Sequence, residues 1–309
     1  MQAAGAVIAI GGAESKLRRR SVLQAFVEEC GGQGARIAVI PSASSLGPEV
    51  VEVYRAVFTS LGAAEVIELR PRSRAEATAE LAAPLADVSG VFMTGGNQLK
   101  LSAFIAGTQF GDAIVAAHAR GAVVGGTSAG ASILAEHMIA FGSGGSTPKQ
   151  RMSQLAVGLG LVPGAVIDQH FEQRNRYGRL LSLVAQSPSL LGIGIDEDTS
   201  AVIRDGVLRV VGKGSVTIVD GRHLVSNAYE AKRTAPLLVS GAVLHVLPAG
   251  CAFDLAGRTL AVISTPEKDE EVADLRAAEA DLREMAREIA AEGVSPTDYA
   301  RRLRRSRRA

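Results

Sequence analysis

Short apolar segments alternate with longer amphipathic segments through the first part of the chain. The apolar runs, each followed closely by glycine, proline or serine, cover Val7 to Ile10, Ile37 to Ile40, Val66 to Leu69, Val88 to Met93 and Ala122 to Val124. The segments between them that are spaced like helices cover 18–29, 48–61 and 98–118. This alternation predicts a doubly wound, mostly parallel α/β sheet, whose ligand sites lie at the carboxyl ends of the strands.

The pattern changes after the glycine-rich segment 142–146, which could form a mobile loop. Strand-like runs follow, separated by Asp205-Gly206 and by 212–214, and they cover Ser200 to Arg204, Val207 to Val211 and Val216 to Val219. Glycine-containing turns between short alternating runs are typical of hairpins. We therefore expect an antiparallel β extension added to the main sheet.

No linker separates these two parts, so residues 1–265 are predicted to form a single α/β domain. Residues 266–309 are predicted to add a C-terminal helix, over 267–290, and an arginine-rich tail. The helix is predicted because apolar residues recur on one stripe of it, with charges elsewhere. That stripe must pack on another surface, either the body of the protein or a second copy in a homodimer.

Composition describes an ordinary globular protein, with 47% hydrophobic and 21% charged residues, and excludes fibrous and disordered classes. The cysteines Cys30 and Cys251 lie far apart and lack zinc-ligand spacing, so both are expected to be buried thiols. The first apolar run is too short for a signal peptide or a membrane span, and no longer run follows. We expect no membrane contact and a cytoplasmic location.

Charge is unevenly distributed along the chain. Residues 301–309 hold six of the 33 basic residues, which leaves 27 basic against 32 acidic side chains in the body. An acidic body weakly favours a cationic substrate. The basic tail lacks the aromatic residues that stack on bases, so surface charge is a simpler explanation for it than a nucleic-acid partner.

A serine lies in the turn between a predicted strand and a predicted helix. Residues Gly126 to Gly130 read GTSAG and fit G-x-S-x-G, after the strand-like Ala122 to Gly125 and before the helix-like Ala131 to His137. This context is typical of a nucleophile elbow, in which a sharp turn projects the hydroxyl of Ser128 above the sheet. The alternative is a plain glycine-rich turn or a phosphate loop, although the latter would place a lysine beside the serine.

An activated serine needs a base, which in turn needs an orienting carboxylate. His170 follows the short apolar run 165–167, where a strand would deliver it to the carboxyl edge of the sheet. The other histidines lie in helical patterns, a polar turn or a strand-like run: His118, His137, His223 and His245. The strand-like 192–195 leads into three acids, Asp196-Glu197-Asp198, among which the pattern does not select. A metal site is the alternative for these acids, but no His or Cys lies nearby.

Taken together, several motifs resemble the cyanophycinase family of serine exopeptidases. They are Gly95 to Gln98 (GGNQ), GTSAG around Ser128, and Asp168 to Leu180 (DQHFEQRNRYGRL), with Gly11 to Glu14 and Gly194 to Glu197 also similar. The resemblance covers residues 6–262. It implies a fold of the class I glutamine amidotransferase type, which is flavodoxin-like and agrees with the alternation of strands and helices.

The resemblance also implies roles for individual residues. Ser128 would be the nucleophile, His170 the general base and Glu197 the orienting carboxylate, in a chain order that differs from that of ordinary α/β-hydrolases. Backbone N–H groups of Ala129 and of Gly96 or Asn97 would stabilise the oxyanion. No metal or organic cofactor is needed for this chemistry.

The implied substrate is cyanophycin, a polyaspartate whose β-carboxyls each carry an arginine, and the products would be β-Asp-Arg dipeptides. Residues implied in substrate binding are Gln98, Asp168, Gln169, Arg174, Arg176 and Arg179. Guanidinium groups pair bidentately with carboxylates, which the polymer offers. Without the resemblance, Arg176 and Arg179 would be read as a charged helix face. The alternatives are a related dipeptidase acting on α-aspartyl or isoaspartyl dipeptides, and a catalytically silent binding protein.

Overall fold

Strands and helices alternate along the first half of the chain, as the apolar pattern predicts. The computed structural model describes residues 3–17, 20–232 and 234–262. Its strands are β1 Val7–Ile10, β2 Arg36–Ile40, β3 Glu65–Glu68, β4 Gly90–Met93, β5 Val123–Thr127, β6 His137–Gly142, β7 Ser153–Val157, β8 Ala165–Gln169, β9 Leu191–Ile195, β10 Thr199–Arg204, β11 Val207–Gly212, β12 Ser215–Asp220, β13 Val225–Ser226, β14 Val239–Ser240, β15 Val243–Pro248, β16 Ala252–Asp254 and β17 Thr259–Val262. Its α-helices are α1 Ser21–Glu29, α2 Glu49–Ser60, α3 Ala79–Ala82, α4 Gln98–Ile105, α5 Gln109–Ala119, α6 Ala129–Ser132 and α7 Tyr177–Gln186.

The main sheet has the strand order β17-β16-β11-β10-β1-β5-β4-β2-β3. The five strands β1, β5, β4, β2 and β3 are parallel to one another. The strands β10, β11, β16 and β17 are antiparallel to their neighbours. β1 and β5 are buried along their whole length, because helices cover both faces of the sheet. One face carries an aromatic cluster in which Phe26 of α1 and Phe58 of α2 pack on Phe92 of β4.

A second sheet has the order β15-β12-β9-β8, with β8 and β9 parallel. The predicted hairpin of β10 and β11 is present in the main sheet. The third predicted strand, β12, does not extend it: β12 pairs with β9 and β15 instead. The turn after β11 explains this change, because the N–H of Lys213 donates to Asp198 O and that of Gly214 donates to Thr199 Oγ1. These bonds turn the chain onto the second sheet.

Two predicted helices differ from the observed ones. The predicted helix 98–118 is divided into α4 and α5, because Gly107 takes a positive φ of 62° and Thr108 caps the N-terminus of α5. The predicted helix 131–137 is only the short α6, and His137 begins β6, which pairs with β7 in a hairpin that the pattern did not predict. Residues 132–135 are all buried. A run without exposed positions shows no alternation of apolar and polar residues, so the pattern cannot distinguish a helix from an extended chain there.

The described residues all belong to one compact unit, Met1–Ile263. The predicted C-terminal helix and arginine-rich tail lie outside the described residues. Cys30 and Cys251 are buried free thiols, which confirms that prediction. No helix in the described part of the chain is long and apolar enough to cross a bilayer.

Candidate active site

Ser128 lies in a strained turn between β5 and α6. Its backbone has φ 52° and ψ −108°, a combination that non-glycine residues rarely adopt. Hydrogen bonds hold the turn, since the N–H of Ser128 donates to Ile10 O at 3.0 Å. The flanking glycines are required by space: a Cβ on Gly126 would lie 2.5 Å from Gly130 O. The strand, strained serine and short helix together form a nucleophile elbow.

Ser128, His170 and Glu197 form a continuous hydrogen-bonded chain. His170 Nε2 lies 3.0 Å from Ser128 Oγ, and His170 Nδ1 lies 2.6 Å from Glu197 Oε1. The three side chains come from different elements, namely the end of β5, the end of β8 and the end of β9. The two sheets therefore meet at this site, where the N–H of His170 also donates to Gly11 O.

Space for the imidazole is created by a glycine on the neighbouring β1 loop. A Cβ on Gly12 would lie 2.3 Å from His170 Cε1, and Gly12 has a positive φ of 103°. Any larger residue there would be strained and would push the ring away from Ser128. The Gly11-Gly12 pair that ends the first apolar run is thus part of the site.

The three consecutive acids after β9 make different contacts. The local pattern left open which of them serves His170, and the family resemblance implied Glu197. Glu197 reaches His170, and Gln173 Oε1 accepts a hydrogen bond from its N–H at 2.9 Å. Asp196 is buried and accepts hydrogen bonds from the N–H and Oγ of Ser215. Asp198 accepts from the N–H of Ser15. Of the three acids, Glu197 is therefore the one placed to orient the imidazole.

The environment of His170 favours the neutral imidazole that a general base requires. Burial lowers the pKa of His170, and the positive charges of Arg174 and Arg176 lower it further, while the contact with Glu197 opposes them. The net direction is a pKa below its ordinary value. At neutral pH the ring is therefore deprotonated and can accept the serine proton.

This balance predicts a pH effect for Arg174→Ala. Removing a nearby positive charge stabilises the imidazolium, so the pKa of His170 rises and the neutral form is lost at a higher pH. We expect the acid limb of the kcat/KM profile to move to higher pH. Arg72→Ala serves as the control, since Arg72 is not among the groups that shift His170. An unchanged limb in Arg174→Ala would show that another group controls it.

The predicted oxyanion donors lie in two places: Gly96 and Asn97 in the turn after β4, and Ala129 directly after Ser128. Gly95 follows β4, and a Cβ on it would lie 3.3 Å from Ser128 Cβ. The N–H of Asn97 already donates to Ala43 O at 2.9 Å, while its side chain caps α4 through Lys100 N. This engagement favours Gly96 over Asn97 as the partner of Ala129.

A buried carboxylate beside the nucleophile was not singled out in the sequence. Glu14 accepts hydrogen bonds from Tyr54 OH at 2.5 Å, Thr127 Oγ1 at 2.6 Å and Lys16 Nζ at 2.9 Å. Burial raises the pKa of Glu14, but the charge of Lys16 and these hydrogen bonds outweigh it, so the net pKa is lowered. Glu14 therefore ties the β1 loop and α2 to the residue that precedes Ser128. The sequence feature that could have identified Glu14 is the GGAE motif at Gly11 to Glu14, but the resemblance implied no role for its acid.

Asp168, Arg176 and Arg179, all predicted to bind substrate, form a buried ion-pair cluster. Arg179 Nε lies 2.8 Å from Asp168 Oδ2, and Arg176 Nη1 lies 3.0 Å from Asp168 Oδ1. Asp168 has no exposed surface, and Arg179 is 2% exposed. Burial lowers the pKa of Arg176 to about 10, although Asp168 opposes this. The two arginines are thus not a charged helix face, and Asp168 is placed to hold them.

The other predicted substrate residues differ in exposure. Gln169 is buried, and its side-chain oxygen accepts from Arg176 Nη1 at 2.8 Å. Gln98 is half-buried and donates to Ser132 Oγ and to Ile139 O. Arg174 is exposed, close enough to His170 to lower its pKa. Within the described ranges, no group of three or more His, Cys, Asp or Glu residues is placed to hold a metal ion.

The sequence profile of peptidase family S51 matches residues 7–211, which include Ser128, His170 and Glu197. The chain belongs to peptidase family S51. This assignment makes it a hydrolase of peptide bonds, and the serine at the elbow fits the serine type of the family.

Curated relatives in family S51 agree with the resemblance seen in the motifs. The chain is 44% identical to the cyanophycinase of Trichormus variabilis over 261 residues, which is 82% of this chain and 87% of that protein. It is 43% identical to the cyanophycinase of Synechococcus elongatus, over 81% of this chain and 79% of that protein. The predicted resemblance to cyanophycinases is confirmed.

A solved structure supports the fold. The chain is similar to the crystal structure of a peptidase from an acI-B1 Actinobacterium, with a TM-score of 0.58 and 23% identity. The match covers 78% of this chain and 97% of that one. The prediction of a mostly parallel α/β sheet with antiparallel additions is confirmed.

Proposed function

We propose that this chain hydrolyses cyanophycin as a serine exopeptidase and releases β-Asp-Arg dipeptides. The observation that carries the proposal is the hydrogen-bonded chain of Ser128, His170 and Glu197 in a protein that shares 44% identity with a cyanophycinase. A serine contacting a neutral histidine, itself contacting a carboxylate, is the arrangement that activates a hydroxyl for acyl transfer.

The first half-reaction forms an acyl-enzyme. His170 Nε2 takes the proton of Ser128 as Oγ attacks the scissile carbonyl carbon, and the carbonyl oxygen becomes an oxyanion. The N–H groups of Ala129 and Gly96 stabilise it, and the loss of one such donor generally costs about 3 kcal/mol in the barrier. The imidazolium, held by Glu197, then gives its proton to the departing amine as the C–N bond breaks.

The second half-reaction returns the enzyme to its starting state. A water molecule gives a proton to His170 and attacks the ester carbon, and the oxyanion donors stabilise the second tetrahedral intermediate. Collapse of that intermediate breaks the bond to Ser128 Oγ, which regains its proton from His170. The released fragment carries a new carboxylate.

Substrate carboxylates fit the positive charges beside the site. Arg174 is exposed and is the first candidate to contact the polymer, followed by Arg176, which is 7% exposed. Asp168 and Arg179 would act indirectly, by fixing Arg176 between the carboxylate and Gln169. Removing one member of such a buried pair leaves an uncompensated charge and generally costs about 3–5 kcal/mol of stability.

Digestion of insoluble cyanophycin tests the proposal directly. The purified chain is incubated with the polymer, and the soluble products are analysed by mass spectrometry over time. We expect β-Asp-Arg alone from the earliest time points, since an exopeptidase removes terminal units without longer fragments. Hydrolysis of isoaspartyl dipeptides but not of the polymer would overturn the proposal in favour of the related dipeptidase.

The predicted homodimer and cytoplasmic location are part of the same proposal. Support for self-association comes from β15, an edge strand of the second sheet that exposes Leu244 and Val246. Exposed apolar edge strands are ready to pair with another chain. Light scattering after size exclusion would measure the assembly, and cell fractionation would measure the location.

A further inference from the structure

A pocket of about 350 Å³ opens beside Ser128, on the side of the main sheet that carries α1 and α2. The walls are formed by apolar side chains of α2 and the loop before it: Leu46, Val50, Val53 and Tyr54. The other end is formed by Gly95 and Ser128 itself, so the pocket joins the reacting centre. The function proposed above assigns no part of the substrate to this pocket.

The charged side chains that line the pocket, Glu14, Lys16 and Glu49, sum to a net negative charge. Lys16 Nζ lies 2.9 Å from Glu14 Oε1 and 5.1 Å from the centroid of the Tyr54 ring, so this ammonium is already engaged. Glu49 lies at the rim in the first turn of α2 and is exposed. Among the described residues, Glu49 has no ion-pair partner. As far as the described part of the chain shows, the pocket therefore offers an apolar wall with one unpaired negative charge, that of Glu49, at its mouth.

A long aliphatic side chain with a cationic head has the matching chemistry. The methylene stem of arginine packs on apolar surface while its head stays near water. A guanidinium is planar, weakly hydrated and forms bidentate contacts with carboxylates. A ligand carboxylate is disfavoured, because Glu14 and Glu49 would repel it and Lys16 is taken by Glu14.

We propose that this pocket binds the arginine side chain of a dipeptide unit next to the scissile bond, with Glu49 contacting the guanidinium. The inference rests on the proposed function, since cyanophycin supplies that side chain. It names Glu49 as a determinant of arginine specificity, at a pocket that Ser128 lines and His170 does not. The net negative charge of residues 1–300 and the carboxylate of Glu49 at the rim both attract a cationic substrate.

The test compares two synthetic oligomers, one of β-Asp-Arg units and one in which citrulline replaces arginine. Citrulline keeps the length and shape of arginine but is neutral. We expect the chain to prefer the arginine oligomer in kcat/KM, and Glu49→Gln to reduce that preference about five-fold, the upper range for a partly exposed ion pair. Glu49→Asp, which keeps the charge, should recover part of the preference.

Glu52→Gln is the matched control, since Glu52 lies one turn further along α2 and does not line the pocket. An unchanged arginine preference in Glu49→Gln would overturn the inference, and so would an equal loss in Glu52→Gln. Turnover of the citrulline oligomer reports whether each variant is folded and active. If the unmodified chain cleaved neither oligomer, the proposed function itself would fail, which is a distinguishable result.

Discussion

Ser128→Ala is expected to lower kcat on cyanophycin by about 10⁶-fold, the loss seen when the nucleophile of a serine hydrolase triad is removed. Ser128 Oγ forms the acyl-enzyme in the proposed reaction, and in the described part of the chain no other hydroxyl is hydrogen-bonded to His170 Nε2. Product release from the polymer, followed by mass spectrometry, measures the effect. The substitution removes one oxygen atom from the side chain, so the fold should be retained.

Two controls make the Ser128 result decisive. Ser73→Ala, in the segment between β3 and α3, should retain full turnover, since Ser73 accepts a local hydrogen bond from Glu76 N and does not line the pocket beside Ser128. A fluorophosphonate probe should label the unmodified chain and Ser73→Ala but not Ser128→Ala. Turnover by a correctly folded Ser128→Ala within ten-fold of the unmodified chain would remove Ser128 from the mechanism.

Glu197→Gln is expected to lower kcat by about 10⁴-fold, with a smaller effect on KM. The carboxylate of Glu197 accepts a hydrogen bond from His170 Nδ1–H and so fixes the tautomer in which Nε2 is free to take the serine proton. A glutamine amide can donate to Nδ1 instead, which stabilises the wrong tautomer and no longer balances the imidazolium. Steady-state kinetics on the arginine oligomer measures both constants.

Glu172→Gln is the matched control for Glu197→Gln. Glu172 is exposed and lies two residues after His170, so the substitution removes the same charge from the same region without touching the imidazole. It should change kcat by less than about two-fold, as surface substitutions generally do. Equal losses in the two variants would mean that the local charge matters, and not the contact with His170.

Much of the architecture was predictable from local pattern. The strands β1, β2, β4 and β5 follow from apolar runs that are continuous because both faces of a parallel sheet are covered. The elbow at Ser128 was predictable because its strained turn demands small neighbours, which leave a recognisable spacing of glycines at Gly126 and Gly130. His170 was predictable as the histidine at the end of a strand.

Other features depended on contacts between segments that are distant in sequence. The pattern could not show that β12 joins β9, because that choice depends on hydrogen bonds of Lys213 and Gly214 to residues 198–199. It predicted one helix where Gly107 separates two, since one glycine is tolerated in many helices.

Local patterns of residues were enough to predict the parallel sheet, the nucleophile elbow, the histidine at the end of one strand and the three acids at the end of another. The folded chain was needed to show that Glu197, which the resemblance implied, contacts His170. It also showed that Asp168 is held between two arginines and that Glu14 and Glu49 line a pocket beside Ser128. This division arises because the local pattern of residues reports burial and backbone preference. Which carboxylate pairs with which cation depends on the distance between the ends of separate strands in the folded protein. The spacing of residues along the sequence does not give that distance.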